Sequence, residues 1–189
     1  PRPRGRQNHL WNLAHLRGRD AKLLAKLECL NNGKSAVVAQ VMDVQLSIDF
    51  LRYMAGWATK IEGSTVDVSL PLMPNDQFHS FIRREAVGVV GAIVAWNFPL
   101  LLACWKLGPA LATGCTVVLK PADETPLSAL KLAELVLEAG YPQGVFNVVT
   151  GTGITAGSAL THNPLVDKLT FTGSTAVGKQ IGKIAMDSM

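Results

Sequence analysis

At 189 residues the chain can bury a core without disulfide or metal staples, and its 48% hydrophobic and 17% charged residues exclude disorder and coiled coil in favour of elements buried on both faces. The formal charge of +4 is uneven, with eight Lys or Arg against two acids up to Lys34. Those charges are interspersed with Leu10, Leu13, Leu16, Leu23, Leu24 and Leu27 at helical spacing and lack an aromatic stacking set, which predicts a solvated helix face and no nucleic-acid partner.

Apolar residues recur at three- and four-residue intervals over residues 5–30 and again over 35–60, predicting two amphipathic helices broken by Asn31, Asn32 and Gly33. Short alternation at 65–70, then Pro71, Pro74 and Asn75, then a return at 78–82 predict a hairpin or a pair of extended arms. Residues 86–105 carry no charge over 20 positions, enough to cross a bilayer as a helix. Val, Ile and Gly dominate the first half, however, and Asn97 and Pro99 interrupt the middle. A strand, a turn and a helix are expected there, with no membrane span.

Beyond Glu85 strands and helices alternate. Strands are predicted over 87–95, 116–119, 145–149 and 168–172. Helices are predicted over 99–113, over 126–139 with Thr125 as cap and Gly140 as stop, over 155–161, and from 174 onward. This pattern demands a doubly wound parallel sheet, an α/β fold of Rossmann-like type, preceded by helices and a hairpin arm. Ligands gather at the carboxyl ends of such strands. The units are therefore residues 1–60, amphipathic helices; 61–84, extended arms; and 85–189, a nucleotide-binding domain. Cys29, Cys104 and Cys115 have no metal-ligand spacing, so no metal is expected. Their odd number without a secretory signal fits a reducing compartment, the cytoplasm by default.

Four strand ends carry candidate chemistry. After the first comes Trp96-Asn97-Phe98-Pro99, where a buried Asn amide could aim its N–H donors at an oxyanion or, alternatively, cap the following helix. Phe98, Leu102 and Trp105 share one helix face, as core or as a substrate tunnel. After the second, Lys120, Asp123 and Glu124 could bind ribose hydroxyls or form a solvated loop. After the third, Gly151-Thr152-Gly153 and Gly157 form a weak dinucleotide fingerprint whose third glycine is one residue late. After the fourth, residues 173–179 nearly match a P-loop, but Gln180 replaces the magnesium-binding hydroxyl. A helix start that receives a pyrophosphate suits that segment better.

Three ordered motifs together resemble the NAD(P)-dependent aldehyde dehydrogenase superfamily: Ala95-Trp96-Asn97-Phe98-Pro99, Leu119-Lys120-Pro121-Ala122 followed by Thr125-Pro126, and Phe171-Thr172-Gly173-Ser174-Thr175 followed by Val177-Gly178. The resemblance covers nearly the whole chain. It implies that Asn97 donates to the oxyanion of a thiohemiacetal, that Lys120 and Asp123 bind the adenosine ribose, and that Trp96 and Ser174 contact the pyrophosphate. Gly153 and Gly157 would admit the adenine end, and residues 173–178 would form the helix start beneath the phosphates. Ala95, Asn97, Phe171, Thr172, Gly173, Val177 and Gly178 complete the implied NAD set. Phe98, Leu102 and Trp105 would line the aldehyde tunnel, and Lys106 would join a proton relay.

Two positions depart from the family pattern. Asp123 stands where Glu is usual, which leaves NADP open beside NAD, and Ala95 stands where Pro is usual. The stretch 144–151 is most similar to phenylacetaldehyde dehydrogenases. The family reaction also needs a cysteine nucleophile and a glutamate base. None of the three cysteines has that context, so all are read as packing residues, the chain is expected to stop inside its nucleotide-binding domain, and these residues alone are expected to be inactive. The arms over 61–82 resemble oligomerisation strands, implying a homodimer or homotetramer. The rival readings are a P-loop nucleotide-binding module and a non-catalytic assembly fragment.

Overall fold

The computed structural model describes residues 2–72 and 78–187. The first predicted helix is two: α1 (Pro3–Arg19) and α2 (Ala21–Asn32). They break at Asp20, whose φ of −92° and ψ of 14° leave the helical basin while its carboxylate pairs with Arg19 at 2.7 Å. The leucine periodicity runs through the break and so could not show it. The second predicted helix contains α3 (Ala36–Val38), a π-helical segment (Ala39–Gln45) and α4 (Leu46–Trp57). Ser35 caps α3 by accepting from the Val38 N–H at 3.3 Å.

The arms are a short antiparallel hairpin, β1 (Ser64–Val66) against β2 (Ser80–Ile82), with Ser64 opposite Ile82. Pro74 and Asn75 lie outside the described residues. The predicted α/β sheet follows: β3 (Val89–Ile93), β4 (Thr116–Lys120), β5 (Phe146–Val148) and β6 (Lys168–Phe171), all parallel, in the order β5-β4-β3-β6. The crossovers are α5 (Pro99–Thr113), α6 (Leu127–Glu138), and a π-helical turn (Gly153–Gly157) running into α7 (Ser158–Thr161). The last helix, α8 (Thr175–Asp187), follows β6. Two crossovers step one way and the third returns past β3. Right-handed connections therefore put α5 and α6 on one face and α7 on the other.

Val90, Ala92, Val117 and Leu119 face the main core together with Leu10, Leu13, Leu24, Leu51, Leu100, Leu107, Leu132 and Leu135, all buried. Each fully buried Leu contributes about 1.5–3 kcal/mol. The N-terminal helices thus belong to the same core as the sheet. The basic N-terminal run is not uniformly solvated, contrary to expectation. Arg17 is 0% exposed, and Arg6 donates through Nε to the Ala112 carbonyl at 2.8 Å.

The start of α6 also differs from expectation. Thr125 does not cap it; Asn31, at the end of α2, accepts from the Leu127 N–H at 2.9 Å. A side chain remote in sequence has taken the role that local spacing assigned to a neighbour. Among the described residues no helix is long and apolar enough to cross a membrane. The uncharged run is spent on β3, a turn and the first half of α5.

Candidate dinucleotide and oxyanion site

The chain reverses its direction across the sheet between β3 and β6, so the crevice at their carboxyl ends is the topological switch point where ligands bind. The Thr172 N–H donates to the Ile93 carbonyl at 3.0 Å, tying the two strand ends together. Ala95, Trp96 and Asn97 leave one side of this crevice, and Thr172, Gly173 and Ser174 leave the other.

Asn97 is exposed rather than buried. It does not cap α5, whose N-cap is Phe98, with φ −136° and ψ 64° and no side-chain hydrogen bond. The capping alternative is therefore overturned, and among the described residues the Asn97 side-chain amide has no partner. Its backbone, by contrast, is held. The Asn32 amide donates to the Trp96 carbonyl, and the Lys34 ammonium donates to the Asn97 carbonyl at 2.7 Å.

Lys34 also donates to Asp43 Oδ2 at 2.6 Å, lies 3.9 Å from Glu28 Oε2, and sits 4.3 Å from the centre of the Phe98 ring. Glu28 and Asp43 have side chains that are 0% exposed. Burial pushes the Glu28 carboxyl up to about 7 and raises that of Asp43, against which the Lys34 hydrogen bond pulls. Sequence reasoning missed Lys34 altogether and took Asn31 and Asn32 only as a helix break. The one available signal was the run Asn-Asn-Gly-Lys, with Gly33 in the left-handed conformation that ends α2 at φ 80°.

At the end of β4, Lys120 is 3% exposed. Its ammonium donates to the Pro121 carbonyl at 2.7 Å and to Asp123 Oδ1 at 3.1 Å. That hydrogen bond holds the exposed Asp123 carboxyl below the usual range. A buried cation therefore fixes a carboxylate that faces out of the sheet. After β5, Thr152 accepts from the Thr155 N–H at 3.3 Å and opens the turn that carries Gly153 and Gly157. A methyl group on Gly153 would meet nothing within 4 Å, whereas one on Gly157 would lie 3.8 Å from Cδ of Lys120. The third and second strand ends thus converge.

After β6, Ser174 Oγ accepts from the Val177 N–H at 3.4 Å, capping α8. The Phe171 ring packs under this turn. A Cβ at Gly173 would run into the ring, and one at Gly178 would come within 3.4 Å of it. These two glycines therefore make room for Phe171, a packing reason that the motif alone did not reveal. A depression of about 490 Å³ lies over Phe171, Thr172, Gly173, Ser174, Thr175, Gly178 and Lys179. Val177 is exposed at its side.

On the implied tunnel face, Leu102 is buried in the core, Phe98 is half-buried, and Trp105 is exposed with its ring 6.4 Å from that of Phe50. Lys106 is half-buried, and burial lowers the pKa of its ammonium. Cys104 does more than pack. Its buried sulfur accepts from Arg17 Nη1 at 2.8 Å, and burial pushes the thiol up, away from a reactive thiolate.

The aldehyde dehydrogenase family profile matches residues 2–189. The chain is 57% identical over 180 residues to a phenylacetaldehyde dehydrogenase of Pseudomonas fluorescens, covering 95% of this chain and 36% of that protein. It is 50% identical over 172 residues to the human mitochondrial aldehyde dehydrogenase, covering 91% of this chain and 32% of that one. Among solved structures, the NAD+ complex of an aldehyde dehydrogenase from Bacillus cereus superposes with a TM-score of 0.92 at 45% identity, covering 98% of this chain and 37% of that one. The chain therefore spans only about a third of the length of these relatives. With a matching profile over nearly every residue, the motifs at the expected strand ends and the shared fold, the chain belongs to the aldehyde dehydrogenase family.

Proposed function

We propose that this chain is the N-terminal, cofactor-binding part of an aldehyde dehydrogenase that oxidises an aldehyde to the carboxylic acid with NAD. The observation that carries the reading is the placement, at the carboxyl ends of the adjacent strands β4, β3 and β6, of a Lys120-anchored Asp123 carboxylate, an uncommitted Asn97 amide and the capped start of α8. The residues fit a dinucleotide on physical grounds. Asp123 presents an acceptor for ribose hydroxyls, Gly153 has open space around it, and the N-terminus of α8 presents N–H groups to phosphate. NAD supplies the hydride acceptor when bound. In this assignment Lys120 and Asp123 bind the ribose, Trp96 and Ser174 flank the pyrophosphate, and Ala95, Phe171, Thr172, Gly173, Val177 and Gly178 shape the floor. Asn97 donates to the substrate oxygen as it becomes an oxyanion, an interaction stronger in the transition state than in the ground state.

Phe98, Leu102 and Trp105 contribute apolar wall to the aldehyde site, and the burial-lowered Lys106 is placed in a proton relay. The nucleophile and general base come from chain outside these residues. An arylacetaldehyde such as phenylacetaldehyde is the proposed substrate, supported by the similarity to the Pseudomonas enzyme. The hairpin over 61–84 is assigned to self-association as dimer or tetramer, residues 1–60 to the supporting helices and 85–189 to the NAD domain. A cytoplasmic setting accords with three free thiols.

The test is NADH formation by the full-length enzyme carrying this chain, with phenylacetaldehyde against short aliphatic aldehydes and with NAD against NADP. Phenylacetaldehyde with NAD should have the highest kcat/KM. The isolated 189 residues should form none, and turnover by them would overturn the assignment.

A further inference from the structure

The turn between α2 and α3 reaches the candidate site without belonging to any motif of it. Asn31 donates to the Glu124 carbonyl at 2.7 Å and accepts from the Leu127 N–H at 2.9 Å, gripping the loop after β4. Asn32 and Lys34 grip the loop after β3. Their two targets are not arbitrary. The Trp96 carbonyl lies in the peptide plane that enters the Asn97 Cα, and the Asn97 carbonyl lies in the plane that leaves it. Because each peptide is rigid, pinning both planes fixes the direction in which the Asn97 side chain departs.

Lys34 is unusually well suited to hold such a carbonyl. Its ammonium is tied to Asp43 at 2.6 Å and lies near Glu28 at 3.9 Å, two carboxylates with fully buried side chains, and the Phe98 ring lies 4.3 Å from it. A lysine on the surface would pay rotamer entropy for each such contact, whereas this one is already ordered. We infer that Asn32 and Lys34 are positioning residues that hold the Asn97 amide in donor geometry, with the buried Glu28 and Asp43 carboxylates as the anchor for Lys34. The inference rests on the donor role proposed for Asn97. A donor misplaced by about 1 Å can cost up to roughly a hundredfold in rate, so a clamp of this kind is worth its buried charges.

The experiment is a double-mutant cycle in the full-length enzyme, with kcat measured at saturating aldehyde and NAD for Lys34→Met, Asn97→Ala and the pair. Lys34→Met should lower kcat by roughly tenfold or more, and in the Asn97→Ala background the same change should have little further effect. A merely structural role would lower kcat equally in both backgrounds, and that additivity would overturn the clamp. Asn32→Ala removes the other hydrogen bond without touching the buried charges, and it runs the same cycle if Lys34→Met does not fold. Near-normal kcat in Asn32→Ala and Lys34→Met would likewise overturn the clamp. If Asn97→Ala itself turns over normally, the donor role fails and takes the clamp with it; slow Asn97→Ala with additive losses removes the clamp alone.

Discussion

The two sides of the crevice are held in different ways. On the β3 side, the Trp96 and Asn97 carbonyls are bound by side chains 64 and 63 residues away in sequence, and Asn31 grips the neighbouring loop across 93 and 96 residues. On the β6 side, Ser174 caps its own helix three residues on, and Phe171 packs under glycines two and seven residues away. The difference follows the chemistry assigned to each. A single amide that must meet one developing charge needs its backbone braced from outside. Phosphate can be received by several N–H groups of a helix start, so local geometry suffices.

The largest effect expected from this contrast is at Asn97. Asn97→Ala in the full-length enzyme should slow turnover by roughly a hundredfold or more, as loss of one oxyanion donor does, with KM for NAD little changed. Steady-state kinetics would show it, and near-normal kcat would erase the distinction between the two sides.

On the β6 side, Gly173→Ala should displace Phe171 and the start of α8 together. Overpacking of that kind costs about 1–3 kcal/mol, and here it should appear as weaker NAD binding by fluorescence titration with a smaller loss of kcat at saturating NAD. A loss confined to kcat would put the β6 turn in the same class as the β3 loop.

The smallest effect concerns the anchor. A carboxyl with its pKa raised to about 7 in the folded state stabilises the fold below its ordinary range and loses that contribution as pH rises through 7. Glu28→Gln should therefore flatten the fall in Tm between pH 5 and pH 8, by on the order of a few degrees. An unchanged slope would mean that Glu28 is ionised across that range, with the Lys34 charge outweighing its burial.

The alternating elements beyond Glu85 were legible because a parallel sheet buried on both faces leaves continuous apolar runs separated by Gly and Pro punctuation. Pro99–Thr113 matched the expected helix for that reason. The N-terminal helices were less legible. Leu10, Leu13 and Leu24 keep one apolar period across the break at Asp20, and a π-helical segment within residues 35–60 preserves enough periodicity to pass for one helix. Arg17 looked like a surface charge because neither its buried setting nor Cys104 is near it in sequence. The motif residues at the strand ends stood out as motifs, but their supports, Asn31, Asn32 and Lys34, did not. A positioning hydrogen bond needs only a polar side chain at the right place in space, and that leaves no spacing to read.

The run of 189 residues by itself determined an α/β sheet, the four loops at its carboxyl ends and the family to which those loops point, since each of these rests on local period and ordered motifs. Only the tertiary structure decided which side chains brace those loops, that Gly173 serves the Phe171 ring, and that Asn97 is neither buried nor a cap. Those are matters of contact between segments distant in the chain, where packing and desolvation set the partner and sequence proximity does not.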